Sequence, residues 1–124
     1  MNRPQSLDAF TIERHGEVIT VKTSSMLETL EPSLLEGAAA LLIDSLKNEA
    51  NPQVIVDLSP LDYFGSSFLA LLIRCWKLTQ AKNGTMVLSG VSNRARDLLH
   101  MTSLDMVWPI YGSVREAIDA LQSD

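Results

Sequence analysis

The apolar residues of this chain follow two periods, which predict strands alternating with helices. Residues 53–58 form a β-branched apolar run of the kind found in the middle of a parallel sheet. Residues 34–46 place apolar side chains every three or four positions, which is typical of a helix with one buried face. With an opening hairpin turning at His15-Gly16, the predicted order is β-β-α-β-α-β-α-β-α. This alternation implies one α/β domain with a mixed, mostly parallel sheet and about four α-helices.

Caps and turn residues set the expected bounds of these elements. The predicted strands are residues 10–14, 17–22, 53–58, 86–88 and 106–110. The predicted helices run from Glu31 or Pro32 to Asn48, from Ser66 to Ala81, from Ser92 to His100, and onward from the capping box Ser113-Val-Arg-Glu116. Residues 23–29 are ambiguous, because Ser25 and Glu28 also have capping-box spacing. Residues 1–9 are expected to be a flexible leader, and residues 10–124 the domain.

The segment from Val54 to Trp76 is the one around which the rest of the chain is organised. It predicts a buried strand, a polar loop over residues 59–65 and a strongly apolar helix, with Ser66 and Ser67 at the joint. A serine at a helix start is most often a cap. A helix N-terminus also favours an anion, so a phosphate on such a serine adds charge without melting the helix. The joint is therefore a candidate regulatory site as well as a cap.

Apolar side chains cover more than half of the circumference of that helix. A helix that lies on one sheet face does not need so wide an apolar surface, which favours a docking patch for a partner. The alternative is that neighbouring helices cover all of it. Cys75 lies within this pattern and is expected to be core. The apolar residues are Phe68, Leu69, Leu71, Leu72, Ile73, Cys75, Trp76 and Leu78.

The usual signatures of enzymes and metal sites are missing from the sequence. There is no glycine-rich dinucleotide or phosphate loop, no G-x-S-x-G, and no metal-ligand spacing among the histidines and the cysteine. Asp57 follows a strand as a receiver-domain phosphoacceptor does, but the acidic pair and the late lysine of that fold are missing. We therefore predict that Asp57 and Asp62 accept hydrogen bonds from loop N–H groups. His15 is expected in a turn and His100 at a helix end, facing solvent or capping carbonyls, so no catalytic residue, metal or cofactor is predicted.

The composition and net charge of the chain limit the classes of molecule that it is expected to bind. The 124 residues carry a formal charge of −5, with 46% hydrophobic and 20% charged residues, and the basic residues are scattered. Such a surface argues against nucleic acid and anionic membranes as partners. The longest apolar runs are too short to span a bilayer, and a single cysteine forms no internal disulfide. These features predict a cytoplasmic protein with protein partners and no direct membrane insertion.

The chain resembles the STAS family, the domain of sulphate transporters and bacterial anti-sigma factor antagonists. The resemblance extends from about Phe10 to the C-terminus and rests on the element order and two motifs, VIVDLSPLDYF and IYGSVREAIDAL. Antagonists of this family carry Asp-Ser-Ser/Thr-Gly at the helix start, and the first serine receives phosphate. By this alignment Ser66 is the phosphoacceptor and Ser67 follows it. Gly65 stands where the family has aspartate, and Phe68 where it has glycine.

The resemblance implies a non-enzymatic, partner-switching regulator. It would bind an anti-sigma factor of the serine-kinase type until phosphorylation at Ser66 releases that partner, and a serine phosphatase would reset it. The implied partner-binding residues are Asp62, Gly65, Ser66, Ser67, Phe68 and Leu69. An alternative is a STAS-like binding or scaffold subunit without phosphoregulation, for example accessory to a membrane transport system. A small enzyme with Ser66 as nucleophile is a third class, but no base lies near it in the sequence.

Overall fold

A five-stranded mixed sheet with helices on both faces forms the centre of the molecule. The structure is a computed structural model and describes residues 9–122. Its strands are β1 (Phe10–His15), β2 (Val18–Thr23), β3 (Gln53–Asp57), β4 (Thr85–Ser89) and β5 (Ile110–Tyr111). Its α-helices are α1 (Pro32–Lys47), α2 (Ser66–Ala81), α3 (Asn93–Met101) and α4 (Val114–Gln122), with 3₁₀ turns at Ser25–Glu28 and Leu104–Met106. No helix in this described part is both long and apolar enough to cross a bilayer.

The strands lie in chain order, and β1 alone runs antiparallel to its neighbour. This confirms the predicted α/β class with its opening hairpin. The hairpin turns one residue later than predicted, because His15 still pairs with Val18 and the two loop residues are Gly16 and Glu17. Gly16 has a φ of +65°, which a glycine adopts without steric cost. Of the predicted leader, residues 1–8 lie outside the described part, and Ala9 is fully buried.

Side chains alternate between the two faces of the sheet, so each central strand serves two cores. The larger core lies between the sheet and helices α1, α2 and α3, and the smaller one lies under α4. The strand residues of the larger core are Ile19, Val21, Val54, Val56, Met86 and Leu88. The smaller core consists of Val18, Ile55, Val87 and Ala117, with Tyr111, Ile118 and Leu121 around it. Burial on both faces explains why β3 is a continuous apolar run rather than an alternating one.

Helix α2 packs beside α1 and contacts β4, and its wide apolar surface is used in the core. Phe68, Leu71, Leu72 and Cys75 are buried, as predicted for Cys75. The remaining apolar residues are partly buried and pack against the same cluster, namely Leu69, Ile73, Trp76 and Leu78. The structure thus supports the interpretation that neighbouring elements cover α2. The large apolar side chains that are exposed lie on other elements.

Local hydrogen bonds define several helix ends. The predicted capping box is confirmed, because Ser113 Oγ accepts a bond from Glu116 N at 3.1 Å and the Glu116 carboxylate accepts one from Gly112 N at 2.9 Å. The ambiguous segment forms the 3₁₀ turn, which Ser24 caps rather than Ser25. Asn83 provides the left-handed residue after α2, with a φ of +61°.

The glycine after α2 is required by a close backbone contact. A β-carbon on Gly84 would lie 2.1 Å from the carbonyl oxygen of Pro52. Thr85 N donates to that same oxygen at 2.8 Å, so the backbone segments that lead into β3 and β4 are in direct contact. Any side chain at position 84 would force these two strands apart.

The predicted final strand is present as β5, but its predicted bounds, residues 106–110, are wrong. Residues 104–106 form a 3₁₀ turn, and only Ile110 and Tyr111 pair with β4. The amides that a strand would offer are used locally, because the N–H groups of Val107 and Trp108 both donate to the carbonyl of Leu104 at 3.0 Å. The apolar run is explained instead by Trp108, which is fully buried.

Candidate functional site

The loop between β3 and α2 is anchored by buried apolar side chains. Leu58, Leu61 and Phe64 are almost completely inaccessible to solvent, although they belong to a connecting segment. Leu61 N donates to the carbonyl of Leu58 at 2.9 Å, which closes a turn over Ser59 and Pro60. The loop therefore has a fixed path from the end of the sheet to the start of α2.

Asp57 stabilises the beginning of this loop. Its side chain accepts a hydrogen bond from Ser59 N at 3.1 Å, as predicted, and its carbonyl accepts one from Thr23 Oγ1 at 2.8 Å. The residue is buried at the end of β3. This carboxylate is thus part of the turn.

Asp62 connects the loop to two other elements, in a way that differs from the prediction. Its carboxylate pairs with the guanidinium of Arg94 at 3.0 Å rather than with loop N–H groups. Its backbone N donates to Glu28 Oε2 at 2.6 Å, and its carbonyl accepts a bond from Ser92 Oγ. The Arg94 guanidinium also lies over the Tyr63 ring, 4.8 Å from its centroid. These contacts join residues about thirty positions apart, which no local pattern reveals.

Ser66 and Ser67 are the first two residues of α2, and both are exposed. Gly65 occupies the N-cap position, so no side chain caps this helix. The first helical hydrogen bond runs from Leu69 N to Gly65 O at 3.1 Å. The N–H groups of Ser66, Ser67 and Phe68 precede it and have no partner within the helix. No acidic residue lies in the first turn, so the positive end of the helix dipole faces solvent.

Gly65 has open space around it. Its φ of −97° and ψ of −169° are extended values that any residue adopts. A β-carbon built there would meet no atom within 4 Å. The chain path through this joint therefore does not depend on glycine, and an aspartate would fit.

Phe68 is turned into the protein. Its side chain is 3% exposed and packs edge-on against Phe64, with ring centroids 5.0 Å apart. On another side it stacks against Phe10 at 6.5 Å. Its bulk therefore lies beneath the serines and leaves the approach to Ser66 open. Leu69 is half-buried beside it.

All six predicted partner-binding residues thus lie on the loop and first turn of α2. Asp62, Gly65, Ser66 and Ser67 form the exposed surface, and Phe68 supports it from below.

No activating group contacts the serines within residues 9–122. Neither hydroxyl is hydrogen-bonded to a histidine, carboxylate or lysine there, and this part of the chain has no group of three or more His, Cys, Asp or Glu residues that could hold a metal ion. Burial raises the pKa of the Cys75 thiol to about 12, against a smaller lowering effect of Arg74, so the thiol stays protonated at neutral pH. His100 faces solvent, as predicted, with Nδ1 2.9 Å from the Asp105 carboxylate. His15 is the exposed last residue of β1.

Two surface features, one of them beside Ser67, were not found from the sequence. Ser67 borders a groove of about 200 Å³ between α1 and α2, which is flanked by the Glu36–Arg74 ion pair at 3.5 Å. At the C-terminal end of α3 Met101 is 80% exposed, and Met106 in the following 3₁₀ turn is 87% exposed. The pattern placed Met106 in a strand, and the groove depends on the packing of two helices, so neither had a usable local signal.

Comparison with known proteins agrees with this architecture. The family model described as "STAS domain" matches residues 2–117. The solved structure of an anti-sigma-factor antagonist (STAS) domain protein from Planctomyces limnophilus is 28% identical, with a TM-score of 0.83 over 92% of this chain and 98% of that one. An anti-sigma factor antagonist from Mycobacterium paratuberculosis shares the fold at 23% identity, with a TM-score of 0.75 over 92% and 93% of the two chains. No curated protein gave a significant match. Given a family match over nearly its whole length, the chain belongs to the STAS domain family.

Proposed function

We propose that this protein is an anti-sigma factor antagonist that binds its partner through the β3–α2 loop and the first turn of α2. In this proposal the partner is an anti-sigma factor of the serine-kinase type, and it releases the antagonist by phosphorylating Ser66. The observation that carries the proposal is the exposed Ser66 hydroxyl at an uncapped helix N-terminus, on an anchored loop. The likeness to the P. limnophilus antagonist domain supports the same class of partner.

Phosphorylation at this position would act on the interface rather than on the fold. A phosphoserine carries a charge of about −1.5 to −2 at neutral pH. The three amides at the start of α2 have no helical partner and would stabilise that charge where it forms. The helix would therefore persist. A partner that covers this terminus would then meet a dianion that is costly to desolvate, and affinity would fall.

The chemistry of the switch would belong to the partners. No base or ligand group in the described residues stands next to Ser66, so the nucleotide, its magnesium ion and the catalytic groups would come from the kinase. Hydrolysis of the phosphoserine would likewise need a separate phosphatase. The antagonist would supply the hydroxyl and the surface.

The test compares two adjacent serines, Ser66 and Ser67, which are both exposed. The protein is incubated with the serine kinase that copurifies with it and with ATP, and phosphate is located by mass spectrometry. We expect Ser66→Ala to take up none and Ser67→Ala to be modified like wild type. Ser66→Asp should bind the kinase at least about tenfold more weakly, since it places a permanent anion in the interface. Phosphate uptake by Ser66→Ala, or unchanged binding by Ser66→Asp, would contradict the proposal.

The alternative is a STAS scaffold subunit without phosphoregulation. It is favoured by the missing aspartate at position 65, since α2 begins without the acidic cap residue carried by the antagonists it resembles. It predicts an unchanged intact mass after incubation with ATP and a cell lysate, together with a stable complex with a protein that is not a kinase. The same copurification and mass measurement therefore separates the two functions.

A further inference from the structure

One edge of the sheet is long and exposed, whereas the other is short. β5 has only two residues, both half-buried, and very short strands are a common means of protecting a sheet edge. β1 has six residues, and those from Thr11 to His15 are all exposed. No strand among the described residues lies beyond it. β1 therefore presents a row of backbone groups suited to pairing with another strand.

The hairpin determines which backbone groups face outward. A two-residue loop closes on a hydrogen-bonded pair, here His15 and Val18, and bonding then alternates along an antiparallel ladder. Residues 15, 13 and 11 accordingly direct their N–H and C=O groups toward β2. The corresponding groups of Phe10, Ile12 and Arg14 point away from the sheet.

Apolar side chains lie beside this edge on the helix-covered face. Ile12 is 40% exposed, and with Arg14 and Ser45 it lines a surface pocket of about 330 Å³. Ser45 donates to the carbonyl of Leu41, one turn earlier on the same flank of α1, and Leu41 is 43% exposed.

The flank continues toward the start of α1. Leu34 lies two turns before Leu41 and is 41% exposed. The opposite flank of α1 faces α2, as the Glu36–Arg74 pair shows. Ile12 on the edge strand and Leu34 and Leu41 on this flank of α1 are the exposed apolar residues of this side of the molecule, here named the β1 flank, and none of the other described elements covers them.

We propose that the β1 flank binds a second copy of this chain, by antiparallel pairing of β1 with β1 about a two-fold axis through Ile12. A two-fold axis perpendicular to the sheet leaves the helix-covered face of both copies on the same side. Residues that stand opposite each other across the axis must therefore point to the same face. An axis through Glu13 would oppose two glutamates, and an axis through Arg14 would oppose two arginines. Like charges directly opposite are destabilising.

The axis through Ile12 avoids both repulsions. It places Ile12 opposite Ile12, Arg14 opposite Phe10 and Glu13 opposite Thr11. In this register every outward-facing residue of β1 meets an outward-facing residue of the second copy. An axis through Thr11 would pair only Phe10 with Ile12. The edge is therefore self-complementary in its hydrogen bonds and free of directly opposed like charges.

The helices fit the same arrangement. The two-fold axis keeps both α1 helices on one side of the joined sheet and brings their outer flanks together. Leu34 and Leu41 of each copy then become covered, so the hydrogen bonds and the apolar burial support the same partner. This surface is separate from Ser66, and the inference does not depend on the proposed function.

The test is the mass of the full chain by sedimentation equilibrium over a range of concentrations. We expect a dimer that Leu41→Lys weakens at least about tenfold, because it opposes two cations near the axis. Ile12→Pro should weaken it similarly by removing one outward N–H, which an edge strand tolerates. Met101→Lys, a change at a more exposed apolar residue at the end of α3, should leave the mass unchanged.

Amide hydrogen exchange provides an independent readout. Protection of Ile12 and Arg14 should increase with protein concentration, whereas that of Glu13 should not, since its N–H already faces β2. A monomer at all concentrations, a dimer that Met101→Lys disrupts, or protection of Ile12 that is independent of concentration would each overturn the proposal. The last result would mean that residues 1–8 occupy the edge themselves.

Discussion

Helices α2 and α3 each have a serine at the N-terminal end, yet the two serines do different things. Ser92 occupies the N-cap of α3, where its hydroxyl accepts a bond from Ala95 N at 3.0 Å and donates to the Asp62 carbonyl. Ser66 stands one position further along, inside α2, and Gly65 occupies the N-cap. Its hydroxyl is exposed and makes no such bonds among the described residues.

The two serines differ by one position relative to the start of their helices. This difference decides whether the hydroxyl stabilises the helix end or stays accessible to a partner. A cap hydroxyl is used by the fold and closes the helix end. A hydroxyl one residue later leaves the terminal amides open and remains accessible. The same residue type at a helix start therefore stabilises α3 but leaves α2 available for modification.

The strongest test of this contrast removes the support beneath the α2 terminus. Phe68→Ala should lower the free energy of unfolding by about 3–5 kcal/mol, because it empties a buried site between two aromatic rings. Chemical denaturation measures the loss, and Leu69→Ala, at a half-buried neighbour, should cost clearly less. Equal losses in the two variants would show that Phe68 does not anchor the terminus.

A second test compares the serines directly. Ser92→Ala should lower the free energy of unfolding by about 1–2 kcal/mol, because it removes the cap of α3. Ser66→Ala should change it by less than about 0.5 kcal/mol, as exposed substitutions usually do. Thermal melting of both variants under one condition gives the difference, and equal effects would remove the distinction drawn here.

The test with the smallest expected effect gives α2 a capping side chain at its N-terminus, as α3 has. Gly65→Asp should raise the free energy of unfolding by about 0.5–1 kcal/mol, since the position is open and an aspartate there accepts terminal N–H bonds and complements the dipole. Gly65→Ala is the control, because it removes glycine's extra freedom in the unfolded chain without providing a cap. If Gly65→Asp is no more stable to unfolding than Gly65→Ala, the N–H groups at the start of α2 already have hydrogen-bond partners.

Local chemistry allowed most of the fold to be predicted. The β-branched run of β3, the helical period of α1 and the capping box of Ser113 and Glu116 each depend on neighbours a few residues apart, and each prediction is confirmed. The position of Ser66 at the start of α2 followed in the same way. Residue type and spacing are sufficient where the interactions themselves are local.

The failures have the opposite origin. The pairing of Asp62 with Arg94 depends on where α3 lies in space, which spacing does not encode. The bounds predicted for the last strand, residues 106–110, were wrong because a short apolar run is compatible with both an extended strand and a turn. Here the run accompanies the burial of Trp108. Likewise, the wide apolar surface of α2 could be interpreted only once its neighbours were placed.

The attachment of Asp62 to Glu28, Ser92 and Arg94 has a consequence for recognition. A partner that binds this loop, as proposed, would meet a segment whose path is already fixed, so less conformational entropy would be lost on binding. Association should then be limited by orientation and charge rather than by a conformational search. A phosphate at Ser66 would therefore change the rate of association through its charge, as well as the lifetime of the complex.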